Sequence, residues 1–274
     1  MSLTAASGPL SGSPSGQLNV ELRAHGPILY LQPLEYRLRA VFETEVVVDT
    51  LRPFLLHQSG KLPVYYVARA DVRQELLEPG RRDDDEIGTR EWFALRVGER
   101  VAADAAWSYV QTPEEAAFVR DLVALKWNAV DEWFCEDEQL LGHPRDPFSR
   151  IDVYRTTRHV RVSLDGVVLA DTRQALVLHE TGLPPRWYIP PEDVRTDLLE
   201  PSSLRTRCAY KGSASYWSAR VGDRLVDDIV WSYPEPQHDA ERVRDLLCFF
   251  NERVDLDVEG ERLERPRTQW SPDG

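Results

Sequence analysis

Basic residues are scarce in this chain of 274 residues: 33 Lys and Arg stand against 46 Asp and Glu, for a net charge of −13. Without a cationic excess to displace counterions, sequence-independent nucleic-acid binding is not expected. Attraction to an anionic membrane surface is not expected either. Cysteine is nearly absent. Cys135, Cys208 and Cys248 are odd in number and far apart, with no C-x-x-C pair, so a structural zinc has no ligand set. The histidines, His25, His57, His143, His159, His179 and His238, include no H-x-x-x-H pair. No metal and no cofactor is therefore expected. No apolar run approaches the roughly 20 residues of a membrane span, and the first residues lack a basic region followed by an apolar one. The expectation is a cytoplasmic protein with reduced thiols, in which Cys208 and Cys248 read first as small core residues.

What is present is a repeat. "VVVDTLRPFLLHQSGKLPVYYVARADVRQELLEP" (46–79) and "VVLADTRQALVLHETGLPPRWYIPPEDVRTDLLEP" (167–201) run in frame at an offset of 122 residues. Asp49 matches Asp171, His57 matches His179, Asp71 matches Asp193 and Glu78 matches Glu200. Further on, "ALRVGERVAADAAWSY" (94–109) matches "SARVGDRLVDDIVWSY" (218–233) at an offset of 124. Two copies of one domain follow. The boundaries are a Ser/Gly/Pro-rich tail expected to be disordered (1–18), a first domain (19–134), an acidic proline-bearing linker (135–150), a second domain (151–265) and a tail (266–274) in which Trp270 is able to dock.

Within each copy the apolar period is two. "HVRVSLDGVVLADT" predicts a hairpin turning at Asp165-Gly166, which suits a type I′ turn. The first copy has Glu43-Thr44 there, a poorer turn whose loop is expected to differ. "PEDVRTDLLEP" predicts helical turns with Pro191 at an early position. Another hairpin bends at Gly222-Asp223, and Pro234 is expected to end its second strand. Val243, Leu246, Leu247 and Phe250 fall at i, i+3, i+4 and i+7, which predicts an amphipathic helix. The fold class expected is mainly β (α+β): two tandem small antiparallel domains of about six strands, each with one C-terminal packing helix.

"ETGLPPRWYIPPEDVRTDLLEPS", "CAYKGSASYWSARVG" and "VWSYPEP" resemble the DUF427 family, small domains of unassigned function. The resemblance covers most of 155–262 and, through "DVRQELLEP" and "AAWSY", extends less closely to 38–134. It implies a compact β-fold akin to the β-tent group, whose members bind ligands in aromatic-walled pockets. Many of those carry paired C-x-x-C zinc motifs, which this chain lacks, so a metal-free version is implied. The family is sometimes labelled nucleotidyltransferase. That label calls for a Gly-Ser turn and a spaced acidic pair. Gly212-Ser213 is present, but Asp227 and Asp228 are adjacent, and neighbours on a strand face opposite ways.

The densest run of chemically capable side chains is "RCAYKGSASYW" (207–217). Between the copies, Gly88 matches Gly212, Trp92-Phe93 match Tyr216-Trp217, and Trp107-Ser108-Tyr109 match Trp231-Ser232-Tyr233. Tyr210 and Lys211 are replaced by Glu86 and Ile87. Shared features, including the Asp-Thr strand end and the D-V-R turn, read as what the fold needs. Tyr210 and Lys211 then become the functional candidates, Lys211 for an anionic or carbonyl group and Tyr210 with Trp217 as walls for a planar ligand. Trp231, Tyr233 and His179 complete the expected ligand site. A His179–Cys208 couple is the alternative catalytic pair, with Lys211 and Tyr210 the other catalytic candidates. Each has a structural alternative: Lys211 as a solvated loop lysine, the tryptophans as core, and His179, recurring as His57, as a hydrogen-bonded strand residue. Because Tyr216 and Trp217 are adjacent, only one can line a given pocket. The acidic run Asp83-Asp84-Asp85-Glu86 reads as a solvated loop. The leading expectation is a small-molecule binding module in the second copy, the first copy's site being degenerate. The rivals are an enzyme using Lys211 or Tyr210 as acid–base group and a protein-interaction scaffold. The tandem copies are expected to pair as an intramolecular pseudo-dimer.

Overall fold

The computed structural model describes residues 3, 4, 8–11, 14, 16–22 and 26–272, and the chain divides into two units, Met1–Ser149 and Arg150–Gly274. His25 and much of the tail expected to be disordered lie outside the described residues. Thr4, within them, is buried and its carbonyl accepts a hydrogen bond from the Gly60 amide at 2.7 Å. The first unit holds β1 (Leu29–Pro33), β2 (Leu38–Phe42), β3 (Glu45–Thr50), β4 (Phe54–Gln58), β5 (Val64–Ala68) and β6 (Leu77–Asp84). It continues with β7 (Thr89–Val97), β8 (Arg100–Gln111), β9 (Leu122–Leu125), β10 (Glu132–Cys135) and β11 (Glu138–Leu140). The second unit repeats them in order. Its strands are β12 (Ile151–Arg155), β13 (Val160–Leu164), β14 (Val167–Thr172), β15 (Leu176–Glu180), β16 (Arg186–Ile189) and β17 (Leu199–Cys208). They are followed by β18 (Gly212–Val221), β19 (Arg224–Pro236), β20 (Leu247–Phe249), β21 (Asp255–Val258) and β22 (Glu261–Arg262).

Each unit is two antiparallel sheets, a larger one of seven strands and a smaller one of four, not the single sheet of about six strands that the hydrophobic period predicts. The orders are β1-β4-β5-β9-β8-β7-β6 with β11-β10-β2-β3, and β12-β15-β16-β20-β19-β18-β17 with β14-β13-β21-β22. The central strands of the large sheet are buried on both faces, whereas its edge strands β6 and β17 are mostly exposed. In the second unit Val177, Trp187, Val230 and Phe249 face one core shared with the small sheet. Their neighbours Leu178, Tyr188, Trp231 and Cys248 face a second core, roofed by Ala240 and Val243. The first unit is built the same way.

Double burial explains the missing helix. Only a 3₁₀ segment, His238–Val243, forms, and Leu247–Phe249 is a central strand between β16 and β19. Leu247, Cys248, Phe249 and Phe250 are all buried, and a short unbroken apolar run cannot be told from a helix face by period. The first unit matches, with Glu114–Val119 followed by β9.

Pro234 does not end its strand, because β19 runs on to Pro236. The β18–β19 register shifts between Ser213 and Ser215, and at such a bulge a residue without an N–H is tolerated. The Glu43-Thr44 turn has the same length as Asp165-Gly166, but only Glu43 (φ 56°) takes the left-handed conformation, whereas Asp165 (50°) and Gly166 (82°) both do. Residues 138–148 are folded onto the first unit: β11 pairs with β10, and Phe148 packs on His57 and Tyr30 at ring distances of 5.5 and 6.2 Å.

The D-V-R turns are framework, as their recurrence suggests. Thr50 and Thr172 Oγ1 donate to Asp71 and Asp193 at 2.7 and 2.5 Å, Arg73 and Arg195 amides donate to Val47 and Leu169 carbonyls, and Val72 and Val194 bridge to Val48 and Ala170.

Candidate functional site

Within "RCAYKGSASYW" (207–217) the chain makes a turn that folds inward. Residues 209–211 connect β17 to β18, and Gly212 (φ +96°) begins β18 so close to the end of β19 that a Cβ there would lie 2.7 Å from the Glu235 carbonyl oxygen. The Gln237 amide donates to the Lys211 carbonyl at 3.1 Å. This close approach places Tyr210 (3% exposed) and Lys211 (9%) inside. The solvated-lysine alternative therefore does not hold.

Lys211 Nζ donates to Glu180 Oε2, from the last residue of β15, which is itself 8% exposed. Burial pulls the amine's pKa down, and the Glu180 carboxylate more than reverses that, so the pKa ends above the ordinary lysine value. The pair is surrounded by phenols and thiols. Burial lifts Tyr233 far above the ordinary tyrosine range, and Tyr188, Cys208, Tyr216 and Glu180 push in the same direction. Tyr216 bonds to Thr206 Oγ1 at 2.7 Å, and burial raises its pKa too. Cys248 is pushed up to about 12 by burial. These phenols and that thiol stay protonated at neutral pH, which leaves the ammonium and its carboxylate as the charged pair of this turn, with Arg186 close enough to act on Lys211.

Of the residues expected at this site, Trp231 and Tyr233 lie on the second-core face of the large sheet, Lys211 reaches Glu180 from the turn, and Tyr210 is buried next to it in the chain. Two do not join them. Trp217 packs against the other core, and Tyr216 takes the place expected for it. His179 shares the side of β15 that carries Val177, is exposed, and lies 6.1 Å from the Tyr154 ring. Strand alternation that turns Glu180 in turns His179 away, so no His179–Cys208 couple forms. His57, its partner in the first unit, is instead fully buried beneath Phe148, with Nδ1 3.8 Å from Asp146. Identical position thus gives two environments. Trp231 also serves the framework through its edge: its Nε1 donates to Tyr188 Oη at 3.2 Å, and Trp107 donates to Tyr66 at 3.1 Å in the first unit.

The two units handle the same place differently. Glu180 and Lys211 of the second match Gln58 and Ile87 of the first, so carboxylate and ammonium are lost together. The first unit draws its charges from other positions. Asp85 accepts from Tyr109 Oη at 2.8 Å and lies 3.2 Å from Arg90, where the second unit has Ala209 and Ala214. The acidic run is solvated only at Asp84 and Glu86: Asp83 accepts from Arg90 and Trp92 Nε1, both at 2.9 Å, and Asp85 accepts from the Ile87 amide.

A second buried ion pair escaped the sequence reading. Arg186 forks onto Glu252 with both bonds at 2.7 Å, their side chains 7% and 0% exposed. Burial opposes the charge on Arg186, but the bond to Glu252 outweighs it and raises the pKa; Glu252 is lowered by Arg186 and Thr268 against its own burial. The guanidinium lies 5.5 Å from the Trp231 ring and 5.4 Å from that of Trp270, so the C-terminal tail docks here. Only the joint change to Val64 and Asn128 in the first copy could have flagged it.

Among the described residues two cavities stand out, both in the first unit. The larger, about 520 Å³ and open, is bordered by Tyr36, Arg37, Arg52, Phe54 and Glu136, and its Arg37 is already bound to Asp49 and Glu136. The smaller, about 160 Å³, is walled by Tyr65, Trp107, Trp127 and Trp133 with Lys126 beside them. No curated protein matches the chain. A family model matches it twice, over residues 30–136 and 152–260, once for each unit. The chain therefore belongs to the family described as a domain of unknown function (DUF427), in tandem.

Proposed function

We propose that the second unit is a small-molecule binding module, taking a small anionic metabolite whose acidic group meets Lys211 and whose remainder lies against Tyr210, Tyr233 and Trp231. One observation carries this: the buried Lys211–Glu180 pair occupies a place that the first unit closes with Ile87 and Gln58. Burying two charges is expensive, and a well-packed neutral pair is often as stable or more so. The fold demonstrably closes without the pair, so its presence calls for a reason other than stability. An ammonium held charged is a donor for anions. It is not a nucleophile or a general base at neutral pH, which favours binding over the acid–base enzyme reading. The binding chemistry needs no metal. We place the module in the cytoplasm, where its three free cysteines would stay reduced.

The test is a thermal-shift screen of small carboxylates and phosphates on the full chain and on the double variant Glu180→Gln/Lys211→Ile. That variant installs the pair the first unit already carries. It should fold with an unchanged or higher Tm and lose the response to the wild-type hits. A wild-type chain that responds to no anion, or a double variant that keeps every response, overturns the reading.

A further inference from the structure

The aromatic cavity of the first unit has a counterpart in the second, and there an indole of the chain, 37% exposed, lies across it. Matching strand for strand, Val64 corresponds to Arg186, Trp107 to Trp231, Lys126 to Phe250 and Trp127 to Asn251. In the second unit this place holds the indole of Trp270, 6.2 Å from the Phe250 ring and 5.4 Å from the Arg186 guanidinium. It is fastened by Thr268, whose Oγ1 donates to Glu252 at 2.6 Å and accepts from the Trp270 amide at 3.1 Å. The same fold position therefore accepts an indole, and the tail supplies it.

The first unit has an equivalent tail that does something else. Pro144-Arg145-Asp146-Pro147-Phe148 parallels Pro266-Arg267-Thr268-Gln269-Trp270, a Pro-Arg followed three residues on by an aromatic ring. Phe148, where Trp270 would be, packs on His57 and Tyr30 instead. The place it vacates is the open cavity of about 160 Å³. That is below the roughly 300–1,000 Å³ of drug-sized pockets and suits one planar ring system. Trp127 and Trp133 lie parallel there, their rings 5.3 Å apart at 6°. The ion pair of the second unit is gone, and Lys126, exposed and 4.6 Å from the Trp92 ring, stands where Phe250 does.

We propose that this cavity binds a planar aromatic acid of indole size, with the ring against the tryptophan walls where the second unit seats Trp270, and the carboxylate at Lys126. The site is separate from the Lys211–Glu180 pair and does not depend on the function proposed for it. Stacking on aromatic walls supplies the ring's affinity, and a lysine at the rim selects the acid.

The probes are indole-3-acetate and indole, titrated into the full chain by calorimetry, with the tryptophan Nε1–H signals followed by NMR. The wild type should bind a single equivalent of indole-3-acetate, perturbing Trp107, Trp127 and Trp133, with indole weaker by roughly fivefold, the worth of one exposed charge pair. Lys126→Phe, which installs the second unit's residue, should bring the two probes to equal affinity. Trp127→Ala should weaken both by about tenfold or more. Absence of saturable binding to the wild type overturns the proposal. So does a Lys126→Phe variant that still prefers the acid.

Discussion

Lys211 is a lysine with its charge indoors, and Arg186 is a second cation in the same condition. The two pairs differ in kind. Arg186 is held by a planar two-point fork to Glu252 with Asn251 at 3.2 Å, a geometry that lysine cannot make. Removing one member of such a pair strands the other. Glu252→Ala should destabilise the second unit by about 3–5 kcal/mol, read from the urea midpoint, whereas Arg186→Val with Glu252→Asn, the first unit's residues, should be far milder. His57 gives a pH dependence of known sign. Burial lowers its folded pKa, with Asp146 opposing, so the unfolded chain takes up the proton first. The stability His57 supports is complete above the ordinary histidine value near 6.5 and is lost as pH falls below it. His57→Phe should flatten the stability-versus-pH slope of the first unit below about pH 6.5, and an unchanged slope would place the titrating group elsewhere. Comparing copies made Lys211 legible in the sequence. Glu180 was not, because "VLHETG" offers a histidine and a glutamate side by side, and only the strand's facing decides which one enters.

At the scale of elements, hairpins were readable and the strand after the 3₁₀ turn was not. Asp165-Gly166 and Gly222-Asp223 turn where turn chemistry puts them. Leu246 to Phe250 satisfies a helical period and a buried strand alike, and the neighbours β16 and β19, distant in sequence, settle the matter. The β17–β18 turn carries a sharper prediction. Gly212→Ala meets both a positive φ and a carbonyl at 2.7 Å, while Gly222→Ala at φ +59° meets nothing within 4 Å. By differential scanning calorimetry, Gly212→Ala should lower Tm well beyond Gly222→Ala, whose cost is about 1 kcal/mol of backbone strain. Equal losses would show that Gly212 does not hold the turn inward, and with it Lys211.

At the scale of the molecule, each unit contains two core clusters of its own residues. Fragments 1–149 and 150–274 are therefore expected to melt cooperatively when made separately, as followed by near-UV circular dichroism. A fragment with no transition would show that its cores are not self-sufficient. Mixing the fragments on a sizing column then tests the pseudo-dimer expectation, which requires them to associate.

The sequence by itself determined the tandem organisation, the β-rich class, the turns and the framework triplets, because a repeat within one chain separates what recurs from what varies, and period-two patterning and turn chemistry are local. Tertiary structure alone decided which of two adjacent side chains enters a core, which ion pairs form across the sheet, and which unit keeps an empty aromatic cavity while the other covers it with its own tail. Those outcomes depend on strands brought together from distant positions, 31 apart for Lys211 with Glu180 and 66 for Arg186 with Glu252, and no local pattern encodes those meetings.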